Sequence, residues 1–122
     1  MARKRILVAD DNATIRKMLC RLFADHETLE ICDEAVNGAE AVEMAAKLRP
    51  HLVILDLFMP VMNGIEAAAR ISKMHPGVPI ILFTQHAEKF YAMVGSASGI
   101  RRVVSKEKAE TLIGHAEELT AA

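Results

Sequence analysis

Apolar residues follow two alternating rhythms along the chain. Ile6-Leu7-Val8-Ala9, Leu52-Val53-Ile54-Leu55 and Ile80-Ile81-Leu82-Phe83 are apolar at every position, and between them apolar residues recur every three or four positions. A short run that is apolar on both faces reads as a strand covered from two sides, whereas the longer spacing reads as a helix with one buried face. The pattern predicts strands over 5–9, 29–35, 51–55 and 79–83, and a weaker one over 101–104. It predicts helices over 13–24, from the Asn37-Gly38 break to about Lys47, and over 65–74, 88–95 and 107–119. Ile15, Met18, Leu19 and Leu22 form the apolar stripe of the first helix, and Asn12 is placed to cap it. Pro50, and later Pro60 with Gly64, mark the ends of segments.

Five strands alternating with five helices through short loops predict an α/β domain, with a parallel sheet covered by helices on both faces. Right-handed crossovers make such a sheet open and doubly wound. A chain of 122 residues is one domain, 1–122, and buries enough surface to need no disulfide or metal staple. Leu119-Thr120-Ala121-Ala122 reads as a frayed terminus or as the first residues of a linker.

Ligands of open parallel sheets bind beyond the carboxyl ends of the strands. Asp10 and Asp11 follow the first strand, Asp56 the third and Thr84 the fourth, and Lys106 lies just past the fifth. Three carboxylates in one cleft repel each other unless a cation neutralises them. With oxygen ligands and no nearby His or Cys, the fitting ion is hard and divalent, best Mg²⁺. Asp56, on the strand expected at the centre, is the candidate nucleophile toward phosphorus, and Asp10 and Asp11 are the candidate metal ligands. Lys106 is placed to pair with one phosphoryl oxygen and the Thr84 hydroxyl to donate to another.

A net charge of -1 argues against a domain built to neutralise nucleic-acid phosphates, and Arg3-Lys4-Arg5 and Arg101-Arg102 are too short to make a binding groove. No apolar run is long enough to span a membrane, so no membrane partner is expected. No secretion signal precedes the first strand, and Cys20 and Cys32 lack metal-site spacing and read as reduced, packed thiols. Together these features predict the cytoplasm.

Ile6-Leu7-Val8-Ala9-Asp10-Asp11 and Leu55-Asp56-Leu57-Phe58-Met59-Pro60-Val61-Met62-Asn63-Gly64, with Thr84 and Lys106, closely resemble the receiver domain of bacterial two-component response regulators. The resemblance covers nearly the whole chain. It implies a flavodoxin-like fold with strand order 2-1-3-4-5, and transfer of a phosphoryl group to Asp56 from a histidine kinase or histidine phosphotransfer protein. It further implies Mg²⁺ held by Asp10, Asp11, Asp56 and the backbone carbonyl of Phe58, with Thr84 and Lys106 sensing the phosphoryl group. The implied output face is the fourth helix, fifth strand and fifth helix, which would dock an output domain or a second copy. Phe90, Tyr91 and Met93 cannot all point inward from the fourth helix, so at least one is expected to be exposed there.

Several positions depart from the family pattern. Gln85 replaces a small residue and narrows the expected entrance to the site, and His86 stands where the family tunes phosphoryl lifetime. Val103 occupies the place of an aromatic whose rotamer commonly reports phosphorylation. Glu107 replaces a proline, and the Ala-Glu-x-Leu helix start is similar to receivers joined to helix-turn-helix output domains. Two other readings are a stand-alone relay receiver and a Mg²⁺-dependent aspartyl phosphohydrolase. The phosphohydrolase is disfavoured because Phe58 occupies the position of its second acid and there is no cap domain. The expected role is a phosphoacceptor that assists its own phosphorylation and dephosphorylation, not an enzyme.

Overall fold

A computed structural model of the protein describes residues 2–90 and 99–121. In chain order the elements are β1 (Lys4–Ala9), α1 (Ala13–Phe23), β2 (Leu29–Ala35), α2 (Gly38–Leu48), β3 (Leu52–Leu55), α3 (Gly64–Met74), β4 (Ile80–Thr84), α4 (Ala87–Phe90) and β5 (Ile100–Ser105). A 3-10 helix (Lys106–Thr111) then leads into α5 (Leu112–Thr120). The strands form one parallel sheet in the order β2-β1-β3-β4-β5. This is the doubly wound, flavodoxin-like fold with strand order 2-1-3-4-5 expected from the sequence.

The double-sided burial of the strands explains their unbroken apolar runs. Leu7, Val53, Leu55 and Leu82 face one cluster with Ala41 and Ala45 of α2 and Ala67, Ala68 and Ile71 of α3. Ile6, Val8, Ile54, Ile81 and Phe83 face the other, with Leu19 and Phe23 of α1 and Leu112 and Ala116 of α5. Burying a Leu, Ile or Phe side chain contributes roughly 1.5–3 kcal/mol, so these two layers carry most of the stability. The alanines of α2 and α3 let those helices lie close on the sheet. Asparagine caps three helix starts: Asn12 accepts from the backbone N–H of Thr14 (2.9 Å), Asn37 from Glu40 (2.7 Å) and Asn63 from Glu66 (2.9 Å).

The carboxyl-terminal part differs from the pattern-based expectation of one helix over 107–119. Residues 106–111 instead form a 3-10 turn, broken by non-helical angles at Lys108 (φ -120°, ψ 39°), and the α-helix starts at Leu112. None of the residues 106–111 is fully buried, whereas Leu112 is. With only the small, partly buried Ala109 touching the core, the first turn follows its local caps, Ser105 accepting from the Glu107 N–H and Thr111 donating to the Lys108 carbonyl. The fifth strand is longer than expected and carries an irregularity opposite Ile80/Ile81. Of the helix expected over 88–95, Ala87–Phe90 is described, and the remainder lies outside the described residues, as does the expectation for Phe90, Tyr91 and Met93.

Both cysteines are free, and burial pushes both thiols up from their ordinary pKa. The basic clusters serve the fold. Arg5 donates to the carbonyls of Leu48 and Arg49 at the end of α2, Arg3 pairs with Glu30, and Arg102 pairs with Glu118. Among the described residues no helix is long and apolar enough to cross a membrane.

Candidate functional site

Strand register assembles the site. Ala9 of β1 lies opposite Leu55 of β3, so the next residues, Asp10 and Asp56, emerge side by side. The pairing continues past the strands, because the Asp56 N–H donates to the Ala9 carbonyl at 2.9 Å. Thr84, the last residue of β4, is opposite Ser105, which sets Lys106 at the same edge. An open cavity of about 320 Å³ results, lined by Asp10, Asp11, Asn12, Asp56, Phe58, Thr84, Gln85, His86 and Lys106. The structure thus brings together all six positions singled out from the sequence. Asp10, Asp56 and Thr84 are buried, while Asp11 and Phe58 are exposed.

One oxygen each from Asp10, Asp11 and Asp56 lies within 4.8 Å of the others. The Lys106 ammonium is 2.8 Å from Asp10 Oδ2 and 3.4 Å from Asp56 Oδ1. Asp10 Oδ1 accepts from the Asn12 N–H at 2.9 Å, but buried Oδ2 has no aligned hydrogen bond even to the nearby lysine. Asp56 Oδ1 accepts from the Leu57 N–H at 2.9 Å. Desolvation, and then the charge of Asp10, pushes the Asp56 pKa up to about 6, with Lys106 opposing the rise. At neutral pH Asp56 is therefore still mostly ionised and able to act as a nucleophile. A buried carboxylate oxygen lacking a hydrogen bond, inside an all-oxygen donor set, fits a hard divalent ion with open positions.

Glycine is needed beside the candidate nucleophile for steric reasons. A Cβ on Gly64, the first residue of α3, would stand 2.2 Å from the Asp56 carbonyl oxygen. The Gly64 N–H also donates to the Leu57 carbonyl at 2.8 Å, tying the helix start to the loop after β3. Within that loop the Met62 N–H donates to the Pro60 carbonyl at 2.7 Å, and Val61 between them adopts φ 70°. A β-branched residue rarely takes this conformation, so the loop is locally strained.

The response regulator receiver domain model matches residues 6–117. The chain belongs to the response regulator receiver domain family. Among curated relatives, this receiver is 46% identical over 78 residues to a protein-glutamate methylesterase/protein-glutamine glutaminase of Geobacillus kaustophilus, covering 64% of this chain and 22% of that one. The receiver thus spans about a fifth of the length of such relatives. Among solved structures it is similar to the response regulator domain of Thermotoga maritima CheB (25% identity, TM-score 0.89, 98% of both chains). It is also similar to a LuxR-family response regulator from Aurantimonas (26% identity, TM-score 0.89, 98% of this chain and 86% of that one). The protein is therefore a receiver domain of two-component signalling, and the phosphohydrolase reading is not favoured. Receivers generally bind Mg²⁺, interact with histidine kinases or phosphotransfer proteins, and dimerise or dock output domains.

Two features of the site were not read from the sequence. Arg16 of α1 donates to the Asp10 carbonyl at 2.7 Å and to Glu34 of β2 at 3.2 Å. Nothing in the apolar periodicity marks either residue, although Arg16 stands a single helical turn from the acidic pair. The Asn12 N–H also steers the Asp10 carboxylate, beyond its expected role as a cap. Gln85 and His86 line the cavity, and both are exposed.

Proposed function

We propose that residues 1–122 act as a phosphoacceptor domain in which Asp56 takes the phosphoryl group. The observation that carries this reading is the convergence of Asp10, Asp11 and Asp56 within 4.8 Å of one another. Asp10, Asp11, Asp56 and the Phe58 carbonyl would hold Mg²⁺, which when bound supplies charge stabilisation to the transferring phosphoryl oxygens. An Asp56 carboxylate oxygen attacks phosphorus, forming an O–P bond as the donor's N–P bond breaks. The electron pair of that bond stays on the donor histidine nitrogen. Lys106 pairs with a phosphoryl oxygen once the group is in place, and the Thr84 hydroxyl donates to a second. The cavity is small and polar, which suits a phosphoryl group presented by a protein better than an enclosed substrate.

The donor is a histidine kinase or histidine phosphotransfer protein, and the compartment is the cytoplasm. Output passes through the face made by α4, β5 and α5, to a docked helix-turn-helix output domain or a second copy. Val103, half-buried against the α2/α3 cluster, cannot flip as an aromatic would. Movement of Thr84 must therefore reach this face through backbone and packing. The role is that of a switch that assists its own phosphorylation and dephosphorylation, not of an enzyme.

Incubation with Mg²⁺ and acetyl phosphate, read by intact mass, tests the proposal. The expected result is a gain of one phosphoryl group that is absent in Asp56→Asn and without Mg²⁺. A folded wild-type protein that gains no phosphoryl group, or an Asp56→Asn variant that still does, overturns it.

A further inference from the structure

Asp10 is held through its N–H, its carbonyl and both of its carboxylate oxygens. Its N–H donates to the Ala35 carbonyl (3.1 Å), its carbonyl accepts from Arg16 Nη1 (2.7 Å), and its Oδ1 accepts from the Asn12 N–H (2.9 Å). Oδ2 faces the acidic cluster, 2.8 Å from the Lys106 ammonium. The carbonyl that Arg16 grips belongs to the peptide joining Asp10 to Asp11, so its rotation would swing both acidic side chains relative to Asp56. Arg16 is itself anchored at the other end of its guanidinium, where Nε donates to Glu34 Oε1 (3.2 Å), and Cys20 Sγ donates to the second Glu34 oxygen (3.4 Å). The Arg16 side chain is 15% exposed and that of Glu34 41%, so the guanidinium is packed against the site while its carboxylate anchor stands at the surface.

We propose that Arg16, aimed by Glu34, is a positioning residue for the divalent-cation site. The inference rests on the proposed function above and assigns a role to two residues outside the acidic cluster. Two properties of the guanidinium suit it to this task. Its planar fork reaches a carbonyl and a carboxylate at once, which an ammonium does at one point only. Its charge is also matched by Glu34, so it orients the acidic pair without neutralising the carboxylates that the ion needs. Groups that orient ligands in this way commonly control metal affinity as strongly as some of the ligands themselves.

Isothermal titration calorimetry with MgCl₂ alone reads this role without any phosphodonor. Arg16→Met is expected to weaken Mg²⁺ binding by about 10-fold, with Arg16→Lys and Glu34→Gln intermediate. Leu119→Ala, which trims an apolar contact near the far end of α5, should lower thermal stability yet keep wild-type affinity. Arg16→Met binding Mg²⁺ within about twofold of wild type overturns the inference, as does an equal loss in Leu119→Ala. If Arg16→Met does not fold, the comparison of Glu34→Gln with Leu119→Ala decides the matter by the same criteria. Asp10→Asn separates the two levels of the argument. Wild-type binding lost in Asp10→Asn but kept in Arg16→Met refutes only the positioning role, whereas absent wild-type binding refutes the metal site itself.

Discussion

The ammonium of Lys106 stands 2.8 Å from Asp10 Oδ2, so a cation from the far end of β5 caps an acidic residue at the end of β1. Lys106 also lies 3.4 Å from Asp56 and is largely buried, which makes it the built-in counter-charge of the cluster. Removing it leaves three carboxylates without that compensation. Lys106→Met is expected to lose on the order of 1–3 kcal/mol of stability without metal. It should also bind Mg²⁺ more tightly than wild type and recover more stability when Mg²⁺ is added. Thermal melts with EDTA and with MgCl₂ check this, and an equal Mg²⁺-induced shift in both proteins counts against it.

The raised pKa of Asp56 makes a prediction about pH. Between its ordinary value of 3.8 and the folded value of about 6, the folded protein keeps the Asp56 proton while the unfolded chain releases it. The unfolded state is therefore favoured progressively as pH rises through that window. Metal-free wild type should lose stability between about pH 4 and 6, whereas Asp56→Asn should lack this component and be the more stable at pH 7. Parallel melting curves of the two proteins across this range would contradict the assignment.

Gly64→Ala tests the close approach of α3 to the nucleophile. The added methyl meets the Asp56 carbonyl oxygen, a backbone atom that cannot rotate away. The expected cost is about 1–3 kcal/mol, together with impaired phosphorylation because Asp56 itself is displaced. Chemical denaturation and intact-mass assays measure the two effects. Stability unchanged from wild type would mean that the helix start yields without strain.

Asn12→Ala separates capping from site geometry. The substitution removes the side-chain cap of α1, at about 1 kcal/mol, yet keeps the backbone N–H that holds Asp10 Oδ1. Reduced stability with near-normal Mg²⁺ affinity is the expected combination. A large loss of affinity would show that the side chain, not the backbone, orients Asp10.

Strand and helix identity, the acidic pair, Asp56, Thr84 and Lys106 were all legible in the residues, because each depends on local signals. Apolar runs mark buried strands, and polar residues directly after them mark the binding edge. Less legible were the features that arise only when distant segments meet. Lys106-Glu107-Lys108-Ala109-Glu110-Thr111 looks helical in isolation, but the helix proper starts where Leu112 finds the core, and a capped 3-10 turn precedes it. Arg16 and Glu34 look like ordinary surface charges until β2 packs beside α1, where Glu34 pairs with the guanidinium that donates to the Asp10 carbonyl.

By itself, then, the sequence determined the alternation of elements, the two-sided core and the chemistry available at the strand ends, since periodicity and residue type act over a few positions. Only the tertiary structure decided the distances: the register of Ala9 opposite Leu55, the reach of Lys106 across to Asp10, and the clasp of Arg16 on the Asp10–Asp11 peptide. These depend on non-local strand pairing and helix packing, where a shift of one residue would turn a carboxylate from the cleft to the opposite face.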